Sequence, residues 1–123
     1  LALSRLISVV DDDEGVRRSL DALVRSAGYR VATFDSAEAF LVSAAPGDSV
    51  CVISDVQMPG GMGGLELMRT ILGSPSAVPV ILISAFVDDR LREAALAAGA
   101  HCFLKKPFDG DKLIACVERA LDV

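Results

Sequence analysis

The chain has 123 residues, enough for one domain with a real core, and its 52% hydrophobic content excludes a disordered chain. A net charge of -5 and a pI near 4.7 argue against nucleic-acid binding by this segment itself. No apolar run approaches the length of a membrane span, and Arg5 is followed by a short strand-like run, not by the apolar stretch of a secretory leader.

Taken in order, the residues alternate between strand and helix patterns. Leu6 to Val10 is a mostly apolar run ending at Asp11-Asp12. Val16, Leu20, Leu23, Val24 and Ala27 recur at helical spacing, and Gly28 is a C-terminal stop. A second strand covers Arg30 to Phe34. Ser36 is the cap of a second helix whose apolar face is Ala37, Phe40, Leu41 and Ala44. Pro46-Gly47-Asp48 reads as a turn into the apolar run Val50 to Ser54, which ends at Asp55. A loop of Gln57-Met58-Pro59-Gly60-Gly61-Met62-Gly63-Gly64 precedes a third helix from about Leu65 to Leu72.

Pro75 to Pro79 leads into the run Val80 to Ile83, which ends at Ser84. Asp88 and Asp89 open a fourth helix, with Leu91, Ala94, Ala95 and Ala98 inward and Gly99 at its end. Cys102 to Leu104 ends at Lys105-Lys106. Asp109 caps a fifth helix, Phe108 is spaced to staple against Leu113, and Leu113, Val117 and Leu121 face inward. Five β–α units without an internal linker predict a doubly wound parallel sheet with helices on both faces. Continuous apolar strands suit burial on both sides.

Cys51, Cys102 and Cys116 form no metal or redox spacing and read as buried free thiols. His101 has no ligand partner at metal spacing and reads as a surface or strand-edge residue. The chemistry is expected at the carboxyl ends of the strands, where ligands bind in open parallel sheets. Asp11, Asp12 and Asp55 should converge there with Ser84 and Lys106. Three carboxylates repel one another, and a hard divalent cation relieves that repulsion. With Mg²⁺ and one lysine added, the cluster is neutral before any phosphoryl group arrives. By itself, Asp11-Asp12-Asp13-Glu14 reads equally well as a solvated acidic loop at a helix start. Asp55 and the lysine before proline tip the balance toward a site.

Val9-Val10-Asp11-Asp12, Ser54-Asp55-Val56-Gln57-Met58-Pro59-Gly60, Ile83-Ser84-Ala85 and Lys105-Lys106-Pro107-Phe108 together resemble the receiver domain of bacterial two-component response regulators. Ser36-Ala37-Glu38-Ala39-Phe40-Leu41 further resembles FixJ-type receivers. The resemblance covers essentially residues 1–123 as one receiver domain, any output domain lying outside it. It implies a five-stranded sheet of order 2-1-3-4-5 with five helices, the flavodoxin-like or CheY-like arrangement. Leu1 in place of Met fits a trimmed start or a fragment of a longer protein.

The resemblance also implies roles. Asp55 matches the phosphoacceptor, served by a phosphohistidine on a sensor histidine kinase. Asp11, Asp12, Asp55 and the backbone carbonyl of Gln57 match the Mg²⁺ ligands. Ser84 and Lys106 match the phosphoryl-binding pair, and Ser84 and Phe103 the switch residues, with Phe103 expected to be partly buried. Pro107 is implied to follow a cis peptide, and Lys105 to point to the opposite face from Lys106. Phosphorylation would reshape the face made by the fourth helix, fifth strand and fifth helix, allowing a homodimer or an output contact. The implied molecule is a cytoplasmic switch in transcription control, a phosphoacceptor with slow autodephosphorylation and not a conventional enzyme. Two departures stand out. The loop Gly60 to Gly64 is one residue longer than the usual spacing, and its four glycines make it flexible. Gly15 stands where related receivers often carry Pro or a bulkier residue.

Competing readings are a pseudo-receiver that binds protein without using phosphate, and a hydrolase of the haloacid-dehalogenase type. The first would be favoured by loss of a key residue, yet all five are present. The second calls for Asp-x-Asp, and Gln57 occupies the place two after Asp55. A dinucleotide-binding glycine motif fails because these glycines do not directly follow a strand.

Overall fold

The computed structural model describes residues 5–121. The ends of the expected 1–123 unit, Leu1 among them, lie outside the described residues. Five strands form one parallel sheet in the order β2-β1-β3-β4-β5. They are β1 (Leu6–Val10), β2 (Arg30–Phe34), β3 (Ser49–Asp55), β4 (Val80–Ser84) and β5 (Cys102–Lys105). Six helices connect them among the described residues: α1 (Glu14–Ser26), α2 (Ala37–Leu41), α3 (Ala45–Asp48), α4 (Gly64–Leu72), α5 (Asp89–Ala97) and α6 (Gly110–Ala120).

Strand alternation sorts the core into two layers. Ile7, Val9, Cys51, Ile53, Ile81 and Ile83 face Leu20 and Val24 of α1 and Leu113 and Val117 of α6. Val10, Val52, Val80, Leu82 and Phe103 face Phe40, Ala45, Leu67, Met68, Ile71 and Ala95 from α2 to α5. Complete burial of each large side chain contributes roughly 1.5–3 kcal/mol, so these two layers supply most of the driving force. Each strand serves both layers, which is why the runs are continuously apolar. Two of the polar exceptions, buried Ser8 and Ser49, share a hydroxyl–hydroxyl bond of 2.7 Å.

The helix termini follow the local chemistry. Asp13 Oδ1 accepts the Val16 N–H at 3.0 Å, Ser36 Oγ the Ala39 N–H at 3.0 Å, and Asp88 Oδ1 the Leu91 N–H at 2.7 Å. Asp109 caps α6 through the Asp111 N–H at 2.8 Å. Gly28 and Gly99, with φ of 99° and 115°, take the left-handed conformation after α1 and α5 that a side chain would disfavour.

Several expectations are corrected. Five helices become six, because Pro46-Gly47-Asp48 belongs to the single helical turn α3. Proline is tolerated in a first turn, where its missing N–H would have no partner, so turn and helix share one sequence signature there. Ala44 and Ala94, expected inward, are exposed. Ala44 falls between two helices, because α2 stops at Leu41. In α5 a methyl group gains little from burial, so the rotation that exposes Ala94 is set by its larger neighbours. Cys51, Cys102 and Cys116 are buried free thiols, and burial, reinforced by the neighbouring thiols, pushes Cys51 up to about 12. His101 is exposed beside β5, as read.

Candidate functional site

Three strands, β1, β3 and β5, hand their ladders one residue further at the carboxyl end. The Asp11 N–H donates to Phe34 O at 3.1 Å, the Val56 N–H to Ile83 O at 2.9 Å, and the Lys106 N–H to Ser84 O at 2.8 Å. These bonds fix the first residues beyond β1, β3 and β5 as firmly as the strands themselves. The side chains at those ends are therefore placed by the sheet and not by flexible loops.

The expected carboxylates do meet. Asp11, Asp12 and Asp55 each offer a carboxylate oxygen, and these lie within 4.8 Å of one another. Asp11 is fully buried, Asp55 nearly so, and Asp12 is exposed. Lys106 reaches in from the end of β5, its Nζ 2.9 Å from Asp11 Oδ2 and 3.4 Å from Asp55 Oδ1. Lys105 is exposed and makes no ion pair with the acidic cluster among the described residues. The Lys106–Pro107 peptide is cis.

Asp11 is held on both sides. Its Oδ1 accepts the Asp13 N–H at 2.9 Å, and its backbone carbonyl accepts Arg17 Nη1 at 2.8 Å. Arg17 and the cap Asp13 thus brace the acidic turn from α1. Sequence reasoning did not assign Arg17 a role, although its position four residues after the helix cap was a usable signal.

Charge is only partly compensated. Asp11 Oδ2 and Asp55 Oδ1 are buried and form ion pairs with Lys106, yet neither oxygen receives a hydrogen bond of good geometry. One ammonium cannot neutralise three carboxylates. Burial, then repulsion from Asp11, pushes the Asp55 carboxyl up to about 6, against the opposing pull of Lys106. Burial disfavours the Lys106 ammonium, but Asp11 and Asp55 outweigh it and raise its pKa above the ordinary lysine value. Under-satisfied, buried carboxylate oxygens are the donor set a small hard cation prefers, so the residues fit Mg²⁺.

This shift has a measurable consequence for the cation-free chain. Well below pH 4, Asp55 is protonated in both folded and unfolded states and contributes no difference. As pH rises from about 4 to 6, the unfolded carboxyl releases its proton first, and folding stability falls. Above about pH 6 the cost is complete. Asp55→Asn removes it, so the variant is expected to be about 2 kcal/mol more stable than the parent at pH 7 in chelator and no more stable at about pH 3. Urea unfolding at the two pH values checks this. A constant difference would detach it from the Asp55 carboxyl.

Ser84, fully buried at the end of β4, is already engaged. Its Oγ lies 2.6 Å from Gln57 Oε1 and 2.7 Å from Phe86 O, and it accepts the Phe86 N–H at 3.1 Å. The Gln57 side chain, expected only to lend its backbone carbonyl, thus links the loop after β3 to the hydroxyl. Phe103 is buried, not partly exposed, with the Arg92 guanidinium 5.7 Å from its ring centroid. The arrangement can therefore hold a cation between carboxylates, neutralise an incoming anion with an ammonium, and offer a hydroxyl beside it.

Comparison with known proteins gives a consistent result. A family model described as the response regulator receiver domain matches residues 7–118. The chain is 44% identical over 116 residues to the transcriptional regulatory protein FixJ of Bradyrhizobium diazoefficiens, covering 94% of this chain and 56% of that protein. It is 38% identical to the C4-dicarboxylate transport transcriptional regulatory protein DctD of Pseudomonas aeruginosa, covering 95% of this chain and 25% of that one. The chain thus spans about half the length of FixJ and a quarter of DctD. Among solved structures it resembles the response regulator StyR, with a TM-score of 0.86 at 39% identity over 97% of this chain and 60% of the other. It also resembles the chemotaxis protein CheY4 of Vibrio cholerae, with a TM-score of 0.85 at 25% identity over 94% of this chain and 98% of that one.

Proposed function

The chain belongs to the response regulator receiver domain family, and from that membership we propose that it is a phosphorylation-dependent switch whose acceptor is Asp55. The observation that carries the reading is the convergence of Asp11, Asp12 and Asp55 within 4.8 Å, with Lys106 Nζ 2.9 Å from Asp11 and 3.4 Å from Asp55. In the proposed reaction an Asp55 oxygen forms a bond to phosphorus as the nitrogen–phosphorus bond of a kinase phosphohistidine breaks, and the imidazole leaves with the electron pair. Little covalent chemistry is asked of the protein, so positioning and charge neutralisation suffice.

Asp11, Asp12, Asp55 and the Gln57 carbonyl would hold Mg²⁺, which when bound would neutralise charge on the phosphoryl oxygens. Lys106 would pair with a phosphoryl oxygen. Ser84 would exchange its contact with Gln57 for a donated bond to another. Phosphorylation replaces a monoanion by a group nearer -2, so Ser84 and Lys106 gain partners in one state only. Donating its single proton to the phosphoryl group would free Phe86 O, while the Phe86 N–H that Ser84 Oγ accepts could stay, so movement of Ser84 would carry the loop before α5 with it. The face of α5, β5 and α6, where Arg92 covers Phe103, would then change shape toward a second copy or an output domain.

On this reading the partner is a sensor histidine kinase in the cytoplasm, and the full protein controls transcription, as the names of FixJ and DctD indicate for those relatives. The domain would act as a phosphoacceptor with slow autodephosphorylation and not as a turnover enzyme. The test is incubation with Mg²⁺ and acetyl phosphate. The expected result is a mass gain of one phosphoryl group that Asp55→Asn abolishes. Lack of an adduct in the parent chain would favour a phosphate-independent binding module.

A further inference from the structure

Glu38 has no part in the chemistry above, yet it touches the loop that carries Gln57. It lies in the first turn of α2 with its side chain exposed. Its Oε2 accepts the Met62 N–H at 2.7 Å, joining positions 24 residues apart. The same carboxylate lies over Gly61, where a Cβ would stand 2.8 Å from Oε2 and 3.0 Å from Oε1. Gly61 does not occupy the left-handed region, so its missing side chain supplies space for the carboxylate and not backbone freedom. The Met62 N–H and the residue's own N–H hold the Glu38 carboxyl below its ordinary value, so the acceptor is charged.

Both ends of this contact are anchored. Ser36 caps α2, and Phe40 on the same short helix is buried with its ring edge-on to Phe34 at 5.5 Å. The far end of the loop is clasped by the Gly64 N–H, which donates to Val56 O at 3.0 Å. Within the loop, Met58 is buried in the core and Gln57 contacts Ser84 at 2.6 Å. The flexibility expected of the glycines is thus opposed by four restraints, and among them Glu38 supplies the side-chain contact to the 60–64 stretch itself.

We infer that Glu38 is a positioning residue for the acidic site: its carboxylate fixes the extended glycine loop and, through it, the placement of Gln57 beside Asp55 and Ser84. The inference rests on the proposed cation and phosphoryl chemistry at Asp55. The loop is tuned, not created, by this contact, because a solvent-exposed hydrogen bond is worth less than a buried one.

The test titrates Mg²⁺ calorimetrically into the 123-residue chain, with amide exchange at Met62 and acetyl phosphate adduct lifetime followed in parallel. Glu38→Ala is expected to weaken Mg²⁺ binding about three- to tenfold and to speed Met62 exchange by a similar factor. Glu38→Gln should recover part of the loss, since its amide oxygen still accepts the N–H. Gly61→Ala, which displaces the carboxylate, should match Glu38→Ala, and the double variant should be no worse than either single change. Faster Met62 exchange with unchanged Mg²⁺ affinity and adduct lifetime would overturn the inference. Equal losses in Glu38→Ala and Glu38→Gln would also overturn it, because they would report long-range charge alone. A parent chain that takes up neither Mg²⁺ nor phosphoryl defeats the functional reading first, and the inference with it. The parent arm therefore separates the two failures.

Discussion

Lys106→Ala is expected to destabilise the cation-free chain by roughly 2–4 kcal/mol at neutral pH while tightening its hold on Mg²⁺. The lysine places one ammonium 2.9 Å from Asp11 and 3.4 Å from Asp55, both inside the protein. Removing it leaves two buried carboxylates facing each other, and breaking one side of a buried pair costs far more than the pair contributed in net terms. The pocket becomes more negative by one charge, and a divalent cation is attracted more strongly. Lowering the pH relieves part of the damage. Asp55 sits near 6 with Lys106 pulling it down and higher once that pull is gone, so it is protonated by pH 5 and the destabilisation should be smaller there than at pH 7.5. It should not vanish, because Asp11 remains. Urea unfolding in chelator at both values, with calorimetric Mg²⁺ titration, measures each part. The variant should also lose the phosphorylation-dependent shift in the Ser84 and Phe103 resonances, since the phosphoryl group would lack its cationic partner. An Mg²⁺ affinity unaffected by the substitution would mean that lysine and cation do not share the same carboxylates.

Gly64→Ala should be the most disruptive single-atom addition near the site. A Cβ there would stand 2.2 Å from the Asp55 carbonyl oxygen and 2.9 Å from both the Asp55 carbonyl carbon and Val56 Cα. These are backbone atoms of the strand end that carries Asp55, so they cannot swing aside as a side chain could. Either α4 moves off the sheet or the end of β3 bends, and Asp55 shifts in both cases. The expected cost is about 3 kcal/mol, lowering the thermal midpoint by roughly 10 °C, with Mg²⁺ affinity falling in parallel. Gly61→Ala is the internal control. It controls for the midpoint alone: its Cβ meets only the far end of the exposed Glu38 side chain, which can shift without moving backbone, so the midpoint should stay nearly unchanged even though the Glu38 contact is lost. If the two alanines proved equally mild, the close approach of α4 to β3 would have to be wider than 2.2 Å implies.

Much of this molecule is legible from local pattern. The four apolar runs that end in Asp11, Asp55, Ser84 and Lys105-Lys106 are strands β1, β3, β4 and β5, each within a residue or so of its expected bounds. Ser36, Asp88 and Asp109 cap the helices they precede. These features are local because a strand's period and a cap's hydrogen bond both arise within a few residues. Local signals are ambiguous where two structures share one composition. Pro46-Gly47-Asp48 suits a turn and a single helical turn alike. The second helix ends at Leu41, short of Ala44, and Ala94 carries too little apolar area to decide which way α5 faces.

The sequence by itself determined the parallel sheet, the strand ends at which chemistry gathers, and the acidic, hydroxylic and cationic residues that gather there. Only the tertiary structure decided how those groups are shared: Ser84 with Gln57, 27 residues away, Glu38 with Met62, and the burial of Phe103 beneath Arg92. The reason is physical. Backbone periodicity is set by near neighbours, whereas a hydrogen bond between two loops depends on where the sheet and its packed helices bring them, which no spacing along the chain records.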